Sequence, residues 1–510
     1  MTTTSTETHR ATYERLCSHV REVALLTSTQ SLLGWDERTK LPPAAGEYRA
    51  EQMSYLAGLI HRKQTTPEVG QWLAELADSP LAADPHSDTG ADIVNLRRDY
   101  DRKTKLPQAL VEELARLSVV GQQVWVAARK ANDFPRFRPI LERTIVLKRE
   151  EAAAIGYDDD PYDALLDEYE PGAKTAEVAR VLADLREQLV PLVAEIAASP
   201  RRPNLDVLRR PLPIDLQEQF GRRAAEAIGF DFQQGRLDVT DHPFCTDIGP
   251  RDVRLTTRYD EHFLPGALFS TLHEAGHGIY EQGLPPDRYG LPTGQAVSLG
   301  IHESQSRMWE NFVGRSHAFW EHFFPQAQTT YRNALADVSL DDFYFAINDV
   351  RPSLIRTESD EVTYNLHILI RFELELALLH DELPVADLPA AWREKYRKYL
   401  GIEPPADSDG VLQDVHWSSG AFGYFPTYSL GNLYAAQFFE TAQQDLGDMH
   451  AMFRRGEFLP LRNWLRKHIH SQGRRYPAAM LAQRVTGKPL AHDALLRHLR
   501  RKFAPLYDLE

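Results

Sequence analysis

Apolar positions along the chain recur mostly with a helical period. From Thr175 they fall at Val178, Val181, Leu182, Leu185, Leu189, Val193 and Ile196. That i, i+3, i+4 spacing predicts an amphipathic helix, with Pro191 as the place for a kink. Asp387 reads as the N-cap of a helix running through Trp392 to Leu400, stopped by Gly401 and kept from resuming by Pro404 and Pro405. Alternating patterns are scarce. The clearest is Val253 to Tyr259, where Arg254, Thr256 and Arg258 would share one face of a short strand. The pattern predicts a mostly α-helical protein with a small sheet near its centre.

The best stretch for a membrane span, Leu366 to Leu379, is broken by Arg371, Glu373 and Glu375, so no membrane partner is expected. Prolines 200, 203, 211 and 213 punctuate residues 199–213. That segment is a candidate boundary inside one large body, 1–510, dividing an N-terminal helical part (1–200) from a second part (214–510). Leu81 to Asp92, rich in Asp, Ala, Pro and Ser, reads as flexible. The basic residues from Arg454 onward read as solvated helix faces paired to acidic neighbours.

Composition narrows the function classes. The 510 residues carry 58 basic and 73 acidic side chains, a formal net charge of −15, which argues against nucleic acid and against anionic membrane surfaces as partners. Two cysteines, Cys17 and Cys245, exclude a disulfide scaffold and a cysteine-rich zinc module. With no apolar run in Met1 to Arg10, the expectation is a cytoplasmic protein. The 19 histidines are then the informative residues.

Two of them stand in His273-Glu274-Ala275-Gly276-His277. On a helix, residues four apart stack on one face, so His273 and His277 can offer two imidazoles to one zinc ion, with Glu274 placed to act on the attacking water. Ala275 and Gly276 leave room for a neighbouring backbone. A third ligand must come from elsewhere. Positions 280 and 283 are Tyr280 and Gly283, which excludes the metzincin pattern. Glu281 lies on the same straight helix, too far along it to reach the ion. After a Gly/Pro-rich loop, Leu299 to Asn311 reads as a second helix, and its Glu303 follows His277 by 26 residues, a suitable distance for an antiparallel partner. The residue four after Glu303 is Arg307, not the aspartate of the common thermolysin-like form. His302 points about 100° away from Glu303 and reads as a supporting or packing residue.

The chain resembles the carboxypeptidase Taq family of zinc metallocarboxypeptidases. The resemblance rests on His242-Pro243-Phe244, Asp252-Val253-Arg254-Leu255-Thr256, the His273–His277 motif, His302-Glu303-Ser304-Gln305, Ile355-Arg356-Thr357-Glu358-Ser359-Asp360 and Gly410-Val411-Leu412-Gln413-Asp414-Val415-His416-Trp417. Gly34-Trp35-Asp36, Pro161 to Asp167 and Gly473 to Pro477 extend it over roughly residues 15–507. Ser359 stands where the family usually has alanine. The resemblance implies a neurolysin-like helical body with a deep central groove and the small sheet near the zinc site. It implies a homodimer and one Zn2+ per chain, with Co2+ as a substitute. It assigns His273, His277 and Glu303 as ligands and Glu274 as the catalytic residue of an exopeptidase acting on peptides with a free C-terminus.

The chemistry asks for further groups. A tetrahedral oxyanion needs donors, and the segment from His416 to Tyr428 is similar to the His/Tyr-rich loop of related zinc oligopeptidases; His416 with Tyr424 or Tyr428 are the candidates. A free carboxylate suits an arginine fork, for which Arg356 and Arg254 are the candidates; the alternative is that either pairs structurally with Asp360 or Asp252. Asp360 and Asp414 are candidates to orient histidine ligands, with structural ion pairing as the equal alternative. Two other readings remain: an oligopeptidase cutting internal bonds, and a non-catalytic helical interaction protein.

Overall fold

The 3.6-residue period starting at Thr175 folds as one helix, Thr175–Ala198, which continues through Pro191 and buries Val178, Val181, Leu182, Leu185, Leu189, Val193 and Ile196. Leu388–Leu400 is likewise helical and ends at Gly401 in the left-handed conformation (φ 69°). The Asp387 side chain makes no capping bond, so the proline in the first turn, with its preset φ, marks this start. This computed structural model describes residues 2–509, and they are mostly α-helical. One sheet is present among them: β1 (Gly235–Val239), β2 (Cys245–Gly249) and β3 (Asp252–Thr257). β3 is central, parallel to β1 and antiparallel to β2. No helix among the described residues is long and apolar enough to cross a membrane.

The chain divides otherwise than into an N-terminal and a C-terminal part. One unit comprises Met1–Thr104, Asn204–Ile347 and Phe438–Lys488; the other comprises Lys105–Pro203, Asn348–Gln437 and Pro489–Glu510. The proline-rich segment 199–213 contains one crossing point, between Pro203 and Asn204. Of the remaining crossings, those after Thr104, Ile347 and Gln437 fall within or at the end of helices, and the last falls directly before Pro489.

The first unit holds the sheet, the helix Leu264–Glu281 and the helix Leu299–Arg307. Its N-terminal helices pack Leu16, Val69, Leu73, Leu76 and Ile93 into a local core. The expected flexible stretch Leu81 to Asp92 is instead structured. Ser79 caps a short turn, a helix starts at Asp88, and Asp92 is fully buried. Asp92 accepts hydrogen bonds from the Thr293 amide (3.0 Å), the Thr293 hydroxyl (2.9 Å) and the Tyr13 hydroxyl (2.7 Å), and pairs with Arg288. Polar composition misled here because the polar atoms face long-range partners, not solvent.

In the second unit the helix Tyr364–Leu379 is buried nearly all round, so its charged residues Arg371 and Glu375 are fully buried too. Arg371 pairs with Asp414. The basic tail makes the expected ion pairs, Arg474 with Asp99, Arg475 with Asp88 and Lys502 with Glu361, but these cations are mostly buried and not on solvated faces.

Candidate metal centre

The helix Leu264–Glu281 is apolar on most sides and buries Leu268, Leu272, Ala275 and Ile279, which fixes its rotation and turns His273 and His277 to one face. Gly276 sets the distance to the next helix. A Cβ there would stand 2.6 Å from the Gln305 carbonyl oxygen and 2.6 Å from Ser306 Cα. Only glycine lets the backbone of Leu299–Arg307 approach this closely, and that approach delivers Glu303.

The result is a three-residue donor set. Ligand atoms of His273, His277 and Glu303 all lie within 4.8 Å of one another. Glu303 Oε2 is 3.8 Å from His273 Nε2 and 3.6 Å from His277 Nε2. A tetrahedral ion bound at ordinary Zn–N and Zn–O lengths separates its ligands by roughly 3.3 Å, so two imidazoles and a carboxylate in this arrangement fit a zinc-type site with one position left for water or substrate. Glu274, on the same helix, is 7% exposed, and its carboxyl is pushed up to about 7 by burial, aided by Glu303 and Glu310 and opposed by His273.

The supporting groups match those expected only at His302. His273 Nδ1 bonds Glu310 Oε2 at 2.9 Å. Burial alone would lower the His273 pKa; Glu303 and Glu310 outweigh it and raise it above the ordinary histidine value. Glu310 is itself held by Arg307 (3.3 Å) and Arg315 (3.4 Å), which keep its carboxyl well below the usual range against the effect of burial. On the other ligand, His277 Nδ1 lies 2.6 Å from His302 Nδ1, and His302 Nε2 lies 2.7 Å from Glu281 Oε1. With His277 Nε2 turned to a metal, its Nδ1–H donates to His302, and His302 donates in turn to Glu281.

Glu310 explains the departure at Arg307. The helix widens into a π-turn over Met308–Gly314, and this brings a carboxylate seven residues after Glu303 to His273. Arg307 instead donates to Glu303 Oε1 at 2.7 Å, leaving Oε2 for the histidine side. Glu310 is the last residue but one of Leu299 to Asn311, but a π-turn has no sequence signal.

Asp360 and Asp414 serve other partners. Asp360 accepts from Val362 and Thr363 amides (both 2.9 Å), the Thr363 hydroxyl (2.6 Å) and the Arg351 amide (3.2 Å), all on its own loop. Burial nevertheless raises its carboxyl to about 6. Asp414 binds Arg356 at 2.8 Å and Arg371 at 2.6 Å. Of the expected supporting residues, His302 touches a ligand histidine, and Glu310 stands where Asp360 and Asp414 were expected. The physical reason is that both aspartates lie beside arginines or free amides, whose donors saturate their oxygens.

The two candidate arginines are both engaged. Arg254 on β3 makes a two-point pair with Asp252 (2.8 Å each) and lies 4.3 Å over the Trp35 ring, which accounts for Gly34-Trp35-Asp36 as a seat for Arg254. Arg356 is 6% exposed and also donates to the Tyr364 hydroxyl (3.1 Å). Gln413 accepts from the Arg356 amide (2.9 Å), so the Ile355 and Gly410 motifs lock together. Ser359, the departure from alanine, donates to the Arg356 carbonyl at 2.6 Å and tightens that turn.

His416, Tyr424 and Tyr428 cluster within the second unit. Ring centroids of His416 lie 5.2 Å from Tyr424 and 6.3 Å from Tyr428, and 3.9 Å separates His416 Nδ1 from Asp414 Oδ1. Burial lowers the His416 pKa to about 4, with Arg356 and Arg371 adding to it and Asp414 opposing. At neutral pH this ring is uncharged and carries one N–H to donate.

Residues 15–503 match the family described as Carboxypeptidase Taq (M32) metallopeptidase. Thermostable carboxypeptidase 1 of Thermus thermophilus is 48% identical over 509 residues, 98% of this chain and 100% of that protein. Carboxypeptidase 1 of Bacillus subtilis is 38% identical over 499 residues, 98% of this chain and 99% of that one. The crystal structure of an M32 carboxypeptidase from Deinococcus radiodurans R1 superposes with a TM-score of 0.95 at 41% identity, covering 98% of this chain and 100% of the other. A donor set of two histidines and a glutamate, on a fold shared along its full length with these proteins, leads to one conclusion: this chain belongs to the carboxypeptidase Taq family of metallopeptidases.

Proposed function

We propose that the protein is a zinc-dependent carboxypeptidase that hydrolyses the C-terminal peptide bond of peptides. The observation that carries this reading is the convergence of His273, His277 and Glu303 beside the buried Glu274. His273, His277 and Glu303 would hold the zinc ion, which when bound would supply Lewis acidity toward a carbonyl and a water. Glu274 takes a proton from the attacking water and passes it to the leaving amine, and its burial beside the donor set suits it to hold that proton between the two halves. His416, uncharged, and Tyr424 or Tyr428 donate to the developing oxyanion. Glu310 and the His302–Glu281 pair hold the imidazoles in the orientation that binding requires. The substrate carboxylate is met by Arg356 or Arg254; Arg254 already holds both oxygens of Asp252, the two-point geometry a carboxylate would take, whereas Arg356 Nε and Nη2 both donate to Asp414 Oδ1. A homodimer in the cytoplasm, loaded with zinc or cobalt, completes the reading and rests on the family resemblance and on the cysteine content.

The test is a time course on one peptide with a free and with an amidated C-terminus, products read by mass spectrometry, wild type beside Glu274→Gln. Single-residue loss from the free form alone supports the reading. Equal cleavage of both forms, or internal fragments, would identify an oligopeptidase. Glu274→Gln should keep its metal and lose about 10²–10⁴ in kcat; full activity in that variant would remove Glu274 from the chemistry.

A further inference from the structure

One buried carboxyl in the second unit lies outside the chemistry described so far. Glu375 is fully buried on the helix Tyr364–Leu379. Its Oε1 accepts from Trp417 Nε1 at 2.8 Å. Its Oε2 accepts from the Tyr162 hydroxyl at 2.6 Å and from the Gly423 amide at 3.2 Å. No cation pairs with it among the described residues. Burial pushes the carboxyl up to about 7 despite three donors, a measure of how unfavourable the position is for a charge.

The two loop residues that Glu375 grips are informative. Trp417 follows His416 directly, and Gly423 precedes Tyr424 directly. We infer that Glu375 is a positioning residue that pins both ends of the His416–Tyr424 turn, so that the imidazole and the phenol hold a fixed mutual geometry. The inference rests on the proposed role of this loop as the donor of hydrogen bonds to the reaction. It also accounts for the segment Pro161 to Asp167, which no function has absorbed. Pro161–Leu166 is a short helix that brings Tyr162 to Glu375. Its Leu165 backbone is packed so closely on Gly423 (φ 88°) that a Cβ there would stand 2.7 Å from the Leu165 carbonyl carbon. Tyr169, just beyond, packs edge-on against Tyr424 with centroids 5.1 Å apart. Helix, carboxyl and loop thus form one bracket around the turn.

Glutamine is the discriminating substitution. It keeps the shape, but its amide nitrogen must face either the Trp417 N–H or the Gly423 N–H, neither of which can accept. One anchor is therefore lost whichever way the amide turns. Glu375→Gln is expected to lower kcat about 10- to 100-fold, with KM within about 3-fold and zinc content unchanged, because misplacing a positioned group costs the transition state first. On a His416→Ala, Tyr424→Phe background the same change should cost less than about 3-fold, since the groups it positions are gone. If Glu375→Gln does not fold, Tyr162→Phe removes one donor and is expected to show the same split at about 3- to 10-fold. Wild-type kcat in Glu375→Gln, or a full multiplicative loss on the double-variant background, overturns the inference while leaving the donor reading intact. Wild-type kcat in the His416→Ala, Tyr424→Phe enzyme itself overturns the donor reading, and this inference with it.

Discussion

Gly276→Ala sets two effects of opposite sign against each other. In an isolated helix the change stabilises by about 1 kcal/mol, because glycine is the more flexible residue. Here the new Cβ would lie 2.6 Å from both Gln305 O and Ser306 Cα. Ordinary contact begins at 3.4 Å, so the helices Leu264–Glu281 and Leu299–Arg307 must part by about 0.8 Å in a close-packed interior. His277 is on one and Glu303 on the other, 3.6 Å apart at their ligand atoms. The shift would carry them to about 4.4 Å, against the roughly 3.3 Å of a tetrahedral edge. Overpacking of this kind costs about 1–3 kcal/mol, which exceeds the gain in helix propensity. The metal-free variant should therefore melt below wild type, and its zinc affinity should fall by at least about tenfold. Calorimetry of the metal-free proteins and competition with a chromophoric chelator measure the two quantities. A metal-free variant that melts above wild type and binds zinc as tightly would refute the packing argument.

Glu310→Gln removes the charged acceptor of the His273 Nδ1–H and should weaken zinc binding about 10- to 100-fold, read by the same competition; unchanged affinity would mean that Glu310 only neutralises Arg307 and Arg315. Glu361 lies between Lys502 and His498, which outweigh burial and lower its carboxyl to about 2. A depressed folded-state value gives stability that is fully present above the unfolded carboxylate value and is lost as pH falls from about 4.3 toward 2, about 3 kcal/mol in all. Melting curves from pH 6 to 2.5 should show a steeper decline for wild type than for Glu361→Gln; parallel declines would remove the pair from acid sensitivity.

The parts of the site readable from sequence are those carried by local periodicity. His273 and His277 share a face because a helix repeats, and Glu303 follows at the return distance of an antiparallel partner. Glu310 was not readable as a histidine partner, since the α-helical register points to residue 307 and the π-turn shifts that register without a compositional mark. Asp92 was misread because a polar stretch looks the same in sequence whether its carboxylate faces water or four donors from distant segments. Asp360 and Asp414 were motif residues whose partners, a free loop and two arginines, are set by tertiary placement alone. The short strand, by contrast, was visible through its alternation, and Arg254 gained its aromatic seat only when residue 35 came alongside.

The alternation of the chain between its two units bears on how the protein can be made. Neither unit is a continuous stretch, and the last segment of the second, Pro489–Glu510, is translated after all of the first. The phenol of Tyr507 in that segment meets the Val350 amide at 2.6 Å, a contact across 157 residues. Folding must therefore close long loops whose entropic cost comes before any contact repays it, and few native contacts of this kind can form on the ribosome. Such a topology favours slow, late, cooperative assembly, in which early helices wait for distant partners. It also gives the finished enzyme a form of coherence: a break in any one segment deprives a unit of a piece that its neighbours in sequence cannot replace.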